Sequence, residues 1–161
     1  MKIVINSSPL IALSCINQLK LLDKLFDEVI IPQAVYNETV INGNDKKIER
    51  EINELFNFKI TQVVDSNTLE FIVDFLDEGE AEVIAIAKEL NIKTVVIDEL
   101  KGRKYARKHN LNTIGSLGIL VLGKKKGLIK EVAPLLEKML DYGIRIGDKL
   151  KEEILRKVDE V

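Results

Sequence analysis

The sequence contains no tryptophan, and only five Phe and three Tyr. That is too few for a broad aromatic platform on which nucleic-acid bases stack. A single cysteine, Cys15, excludes an intramolecular disulfide and a cysteine-rich zinc site, and it fits a reducing compartment. His109 is the one histidine, so a Cys–His nucleophile pair rests on Cys15 and His109 alone converging. Neither is placed for that. Cys15 sits on an apolar helical face and reads as core, and His109 lies near a helix C-terminus, where its charge suits the macrodipole. No apolar run approaches the ~20 residues that span a bilayer. Ile3-Val4-Ile5 ahead of Asn6-Ser7-Ser8 is too short for a signal-peptide core. The expectation is a cytoplasmic protein that engages no membrane. No glycine-rich loop follows the first apolar run, which disfavours a small-molecule nucleotide enzyme.

What is present fits one compact unit. At roughly 150 residues per domain, the chain reads as one domain over 1–161. Its 46% hydrophobic content supports a real core and argues against disorder. The net charge of −2, from 24 basic and 26 acidic residues, decides nothing as a total. Along the chain it is segregated. Residues 101–130 hold nine Lys/Arg and no Asp or Glu, so all 26 acids lie elsewhere. Such asymmetry points to a polyanion partner, unless the basic block merely complements the acidic remainder in the fold.

Short β-branched runs alternate with helical patterns. Strands are predicted at 3–5, 29–31, 59–63, 94–97 and 112–114. Ser8 is the expected cap of the first helix, with Pro9 at its first position. Further helices are expected near 19–26, 32–40, 45–56, 67–76, 78–90, 100–109, 116–126, 130–141 and 148–159. Gly118–Lys125 superficially resembles the start of a phosphate-binding loop. It lacks Ser/Thr after the lysine, and Ile119–Leu122 reads as a buried helical stripe. The last two helices carry stripes (Val132, Leu135, Leu136, Met139; Leu150, Ile154, Val158) expected to pack within the chain, with pairing of two protomers the alternative.

Apolar strands joined by helices imply an α/β fold with a parallel sheet covered on both faces. Ligands of such sheets bind outside the carboxyl ends of the strands, where strand order reverses. Asn6 ends the first strand and Asp98 the fourth, with Glu99 next. Glu38 follows the second strand, and Glu80 opens the helix before the fourth. Each has a plain structural reading. Asp98 suits a helix cap, Glu80 lies three residues after Asp77 as in a capping box, Glu38 suits a solvated helix face, and Asn6 suits an Asx-turn. If they converge, like charges ~5 Å apart repel by roughly 3 kcal/mol per pair at an effective dielectric of ~20. A divalent cation relieves that repulsion, and oxygen-rich sites suit Mg²⁺ or Mn²⁺.

Five blocks together carry a resemblance. They are Val4–Leu13 (VINSSPLIAL), Val29–Glu38 (VIIPQAVYNE), Asp77–Ala87 (DEGEAEVIAIA), Val96–Arg103 (VIDELKGR) and Gly115–Leu120 (GSLGIL). In that order and spacing they resemble the PIN-domain superfamily, in a small prokaryotic branch related to VapC-type toxins. The segment Tyr142–Ile146 (YGIRI) before the last helix resembles this branch too. The resemblance implies a three-layer fold with a five-stranded parallel sheet in the order 3-2-1-4-5, and residues 127–161 as a helical extension of the domain. It implies a Mg²⁺- or Mn²⁺-dependent ribonuclease, with RNA, an antitoxin protein and a second copy of the chain as partners. Glu38, Glu80 and Asp98 then fall on catalytic positions, and Asn6, Glu38, Glu80, Asp98 and Glu99 on metal-holding ones. Ser7 falls where a small hydroxyl residue assists, and Arg103, Lys104 and Arg107 follow Asp98 closely enough to hold phosphate. The departure is Asn6, where the family has Asp. Its amide oxygen ligates without a charge. The alternative function is therefore a weak or inactive PIN-fold module that binds RNA or a protein.

Overall fold

The computed structural model describes residues 1–73 and 76–161, apart from the side chains of Phe71 and Val73. The chain begins with strand β1 (Lys2–Ile5), helices α1 (Ser7–Cys15) and α2 (Leu19–Leu25), then β2 (Glu28–Pro32). α3 (Gln33–Tyr36) runs directly into a π turn at Asn37–Ile41, followed by α4 (Lys46–Glu54) and β3 (Phe58–Thr61). Next come α5 (Ser66–Val73), α6 (Glu78–Glu89), β4 (Thr94–Val96), α7 (Leu100–Lys108), β5 (Asn112–Ile114) and α8 (Ser116–Lys125). α9 (Ala133–Asp141) and α10 (Asp148–Lys157) complete it.

The strands form one parallel sheet in the order β3-β2-β1-β4-β5. This is the expected α/β architecture. β1 lies at the centre, with Val4 opposite Ile30 of β2 and Val95 of β4. Ile3, Val4 and Ile5 are fully buried, as are Val29, Ile31, Val95 and Val96. That burial is why these strands read as unbroken β-branched runs rather than as alternating patterns. α6 packs on β1, β2 and β4 with an apolar run from Ala81 to Ala87. The chain lays β2 and β3 outward on one side of β1, then returns to lay β4 and β5 on the other. The reversal opens a crevice beyond the carboxyl ends of β1 and β4.

Several boundaries differ from expectation. α1 starts at Ser7, with Asn6 rather than Ser8 in the cap position, because Asn6 N–H still extends the sheet by bonding Val96 O at 3.0 Å. The helix expected near 32–40 changes to a π turn after Tyr36. β3 spans 58–61 rather than 59–63. It is the sheet edge and little buried, so burial periodicity marks its ends poorly. The helix expected near 67–76 is seen as α5 up to Val73, and positions 74 and 75 lie outside the described residues. Cys15 is half-buried rather than core. Gly118–Lys125 is helical, with Ile119, Leu120 and Val121 buried, so no phosphate loop forms there. Among the described residues no helix is long and apolar enough to cross a membrane.

The last two helices fold back on the chain. Val132, Leu136, Met139, Ile154 and Val158 are buried, while Leu150 keeps 44% of its surface exposed. α9 packs on α1 and α10 on α8. Glu160 fastens the extension. Its carboxylate accepts from Val132 N at 2.8 Å and Ala133 N at 2.9 Å, and pairs with Lys124 Nζ at 3.4 Å. It thereby caps α9 from a distance. Glu160→Ala is expected to cost about 1–2 kcal/mol, lowering the melting temperature by a few degrees in thermal denaturation.

Candidate active site

Asn6 follows β1 and is 4% exposed. Its Oδ1 lies 3.4 Å from the point where a Cβ on Gly79 would stand. Glu38 Oε2 lies 3.4 Å from that point and Asp77 Oδ1 3.6 Å, so the three oxygens surround the start of α6. Glu38 sits on the π turn, where Asn42 N bonds Asn37 O at 2.7 Å across five residues. Thr39 Oγ1 donates back to Val35 O at 2.8 Å, a local bond that competes with regular helical pairing. Ser7 Oγ donates to Glu38 Oε2 at 2.7 Å. Glu38 is therefore oriented rather than merely solvated, and Ser7 acts through it.

Glu80 is 3% exposed. Its backbone N–H bonds Asp77 Oδ1 at 2.8 Å, one half of a capping box. The side chain serves another purpose: it shares a hydrogen bond with the Glu99 carboxyl. Burial, the charge of Asp77 and the bond and charge of Glu99 push its pKa from 4.5 up to about 7, against a lowering by Lys101. Gly102 lets α7 close over this pair, since a Cβ there would stand 3.0 Å from Ile97 Cγ2 and 3.4 Å from Glu80 Cδ. Glu99 is exposed at the cap position of α7 without a capping bond, and Ser8 Oγ reaches its Oε1 at 3.5 Å.

Asp98 caps a helix, but not the one that follows it. Its Oδ1 accepts from Ser116 N at 2.7 Å, and Ser116 Oγ lies 3.1 and 3.0 Å from its two oxygens. It thus stabilises the N-terminus of α8. Burial raises its pKa, opposed by the Ser116 bonds and by the charge of Arg103. Gly115 leaves the space for this meeting: a Cβ there would lie 2.8 Å from Asp98 Oδ1 and 2.9 Å from Arg103 Nη1. Of the three basic residues expected to hold phosphate, Arg103 stands beside the acids. Lys104 and Arg107 are exposed on α7.

The predicted residues thus gather at the carboxyl edge of the sheet as three small groups: Asn6–Ser7–Glu38, Glu80–Glu99 and Asp98–Ser116–Arg103. Among the described residues no three acidic, histidine or cysteine side chains come close enough to share one metal ion. The donor chemistry nevertheless fits a hard divalent cation. All donors are oxygens, and buried Glu80 faces the exposed Glu99 carboxyl in an acid pair that the charge of Lys101 offsets only in part, since the Glu80 pKa is still raised to about 7. Glu82 was missed by sequence reasoning. It is 8% exposed, its Oε1 accepts from Ala34 N at 3.1 Å, and burial raises its pKa. It ties α6 to the start of α3. The only signal was an acid inside the apolar run 81–87.

A cavity of about 820 Å³ adjoins the acids, with Asp98, Glu99 and Arg103 in its wall and residues of the C-terminal extension opposite in sequence. No curated protein matches the chain. A family model described as PIN domain matches residues 2–160. The strand order, the acidic groups at the strand ends and this match over nearly the whole length agree, and the chain belongs to the PIN-domain family, a nuclease-type fold.

Proposed function

We propose that the chain is a Mg²⁺- or Mn²⁺-dependent ribonuclease that hydrolyses RNA phosphodiester bonds, as the toxin of a toxin–antitoxin pair in the VapC-type branch. The observation that carries this reading is Glu80: 3% exposed, bonded to Glu99 and pushed up to about 7, at the strand edge where Glu38 and Asp98 also lie. A buried carboxyl set against a second acid, with Lys101 offsetting the pair only in part, costs stability at neutral pH, and a cation-holding role accounts for it.

Glu80 with Glu99, and Glu38 with the Asn6 amide, would hold the cation, and Asp98 keeps lone pairs beyond its bonds to Ser116. When bound, a divalent cation supplies positive charge to the phosphoryl oxygens and acidifies a nearby water. The chain's own residues do the rest. Ser7 fixes the Glu38 carboxylate through its 2.7 Å bond. Glu80, raised to about 7 beside Glu99, would release its proton to solvent where a cation is held there. Asp98 holds Ser116 and stands by Arg103, whose guanidinium attracts the RNA backbone. The same reading takes residues 1–161 as one domain with 127–161 as its extension. It assigns the protein to the cytoplasm, with an antitoxin and a second copy of the chain as partners.

The test is cleavage of end-labelled structured and single-stranded RNA in Mg²⁺, in Mn²⁺ and in EDTA. Cleavage is expected with metal only, falling about 100-fold in Glu80→Ala and in Glu38→Ala, which amounts to about 2.7 kcal/mol of barrier. Cleavage by Glu80→Ala at the wild-type rate sinks the assignment of the site. A second reading is favoured by the uncharged Asn6 and the absence of a three-acid cluster among the described residues. In it the chain binds RNA or a protein with little hydrolysis, and the same assay then finds RNA bound but uncut.

A further inference from the structure

A cavity lies beside Asp98 and Glu99. Its volume of about 820 Å³ falls in the range of small-ligand pockets, roughly 300–1,000 Å³. The acids in its wall are those of the site already described. Among the described residues, every other charged residue lining it is basic: Arg103 on α7, Arg145 in the α9–α10 connection and Lys157 at the end of α10. Two of these three come from the C-terminal extension.

Two cations of that extension are engaged in ion pairs. Lys151 bonds Glu137, and Arg156 bonds Glu152 at 2.6 Å. Arg145 and Lys157, which line the cavity, make no ion pair among the described residues and are exposed. The remaining wall is mainly apolar. Ile11 and Leu150 keep 40% and 44% of their surface exposed there, beside Ile146 and Ile154. Unpaired cations beside uncovered apolar surface in one cavity match a ligand with a phosphate and a flat apolar body.

We infer that this cavity seats one nucleotide of a single-stranded RNA next to the bond to be cut, with Arg145 and Lys157 as phosphate-holding residues. The inference rests on reading the Asp98–Glu99 edge as the hydrolytic site. The extension is then part of the substrate groove and not only a prop for α8. A paired A-form helix does not present a single base to such a cavity, so the groove selects unpaired segments. Among the described residues no aromatic side chain lines the cavity, so the base is held by aliphatic contact and its identity is weakly read.

The experiment measures binding of a short fluorescein-labelled single-stranded RNA of mixed sequence, in EDTA, across a salt series. Arg145→Ala with Lys157→Ala together are expected to weaken binding about tenfold and to reduce the slope of log K against log salt by about 1.4. Lys149→Ala, exposed on α10 outside the cavity, is expected to bind as wild type. A hairpin of the same composition is expected to bind more weakly than the single strand. Unchanged affinity and slope in the double variant overturn the inference, as does a wild type that binds no RNA. The two readings separate cleanly. Cleavage by wild type with an unchanged double variant removes the groove and leaves the nuclease. A weakened double variant with no cleavage by wild type removes the nuclease and leaves the groove.

Discussion

The metal-free protein is expected to lose stability as pH rises from about 5 to 8, by up to about 3 kcal/mol from Glu80 alone. The sign follows from proton uptake. Glu80 ionises at 4.5 when unfolded and at about 7 when folded. Between those values the folded chain holds a proton that the unfolded chain has released. The stability is therefore fully present below 4.5 and lost as pH rises through about 7. Asp98 and Glu82 are also raised, so they act in the same direction. His109 is lowered from 6.5 by burial and by Lys88, so it opposes them as pH falls below its ordinary value. Asp27 and Glu160 are lowered, and their contributions change only at more acidic pH. Glu80→Gln isolates the main effect, because it keeps the shape and removes the ionisation. It is expected to flatten the profile and to melt about 6–12 °C above wild type at pH 8. Mn²⁺ at about 100 times its dissociation constant should return about 2.7 kcal/mol to wild type at pH 8 and less to Glu80→Gln. Equal metal-free profiles for the two proteins in thermal denaturation would falsify the pairing of buried Glu80 with Glu99.

The elements that position the site are legible in the sequence where burial is uniform. Ile3–Ile5, Val29–Ile31 and Val95–Val96 are β-branched runs whose burial leaves no alternation to misread. β3 is an edge strand with exposed Lys59 and Ile60, so its limits shift. The π turn is not legible. It is accompanied by the bond from Thr39 to Val35 O and by that from Ser7 to Glu38, which joins residues 31 apart in the chain. The strand ends pick out Asn6, Glu38, Glu80 and Asp98 as candidates, because any group there borders the crevice. Which groups meet is a matter of tertiary placement. Asp98 looks like a cap for α7, yet it caps α8 through Ser116, 18 residues on. Glu80 looks like the second half of a capping box, yet its carboxyl turns to Glu99. The strand order itself came from the resemblance. Arg145 is marked only as part of the Tyr142–Ile146 segment and Lys157 carries no local mark, since the fold-back of the C-terminal extension brings them to the cavity.

Asn6→Asp is expected to be destabilising without metal and activating with it. The present amide oxygen shares its surroundings with Glu38 Oε2 and Asp77 Oδ1, all within 3.6 Å of the Gly79 Cβ position. The residue is 4% exposed, so water screens little of an added charge. A carboxylate about 5 Å from another is repelled by roughly 3 kcal/mol at an effective dielectric of ~20. The metal-free variant should therefore melt well below wild type at neutral pH. It should recover at acidic pH, where the new carboxyl keeps its proton. With Mn²⁺ present the same charge becomes an attraction. An ionised oxygen donor holds a cation more tightly than an amide of the same shape, here by about tenfold to 100-fold. RNA cleavage in Mn²⁺ should rise by at least about tenfold over wild type, and the Mn²⁺-induced gain in melting temperature should be larger than for wild type. Glu38→Ala combined with Asn6→Asp should lose that gain, because Glu38 supplies the facing carboxylate. A variant that melts lower, is not rescued by Mn²⁺ and cuts no faster removes Asn6 from the cation site. It leaves the residue as a neutral spacer that keeps Glu38 and Asp77 apart.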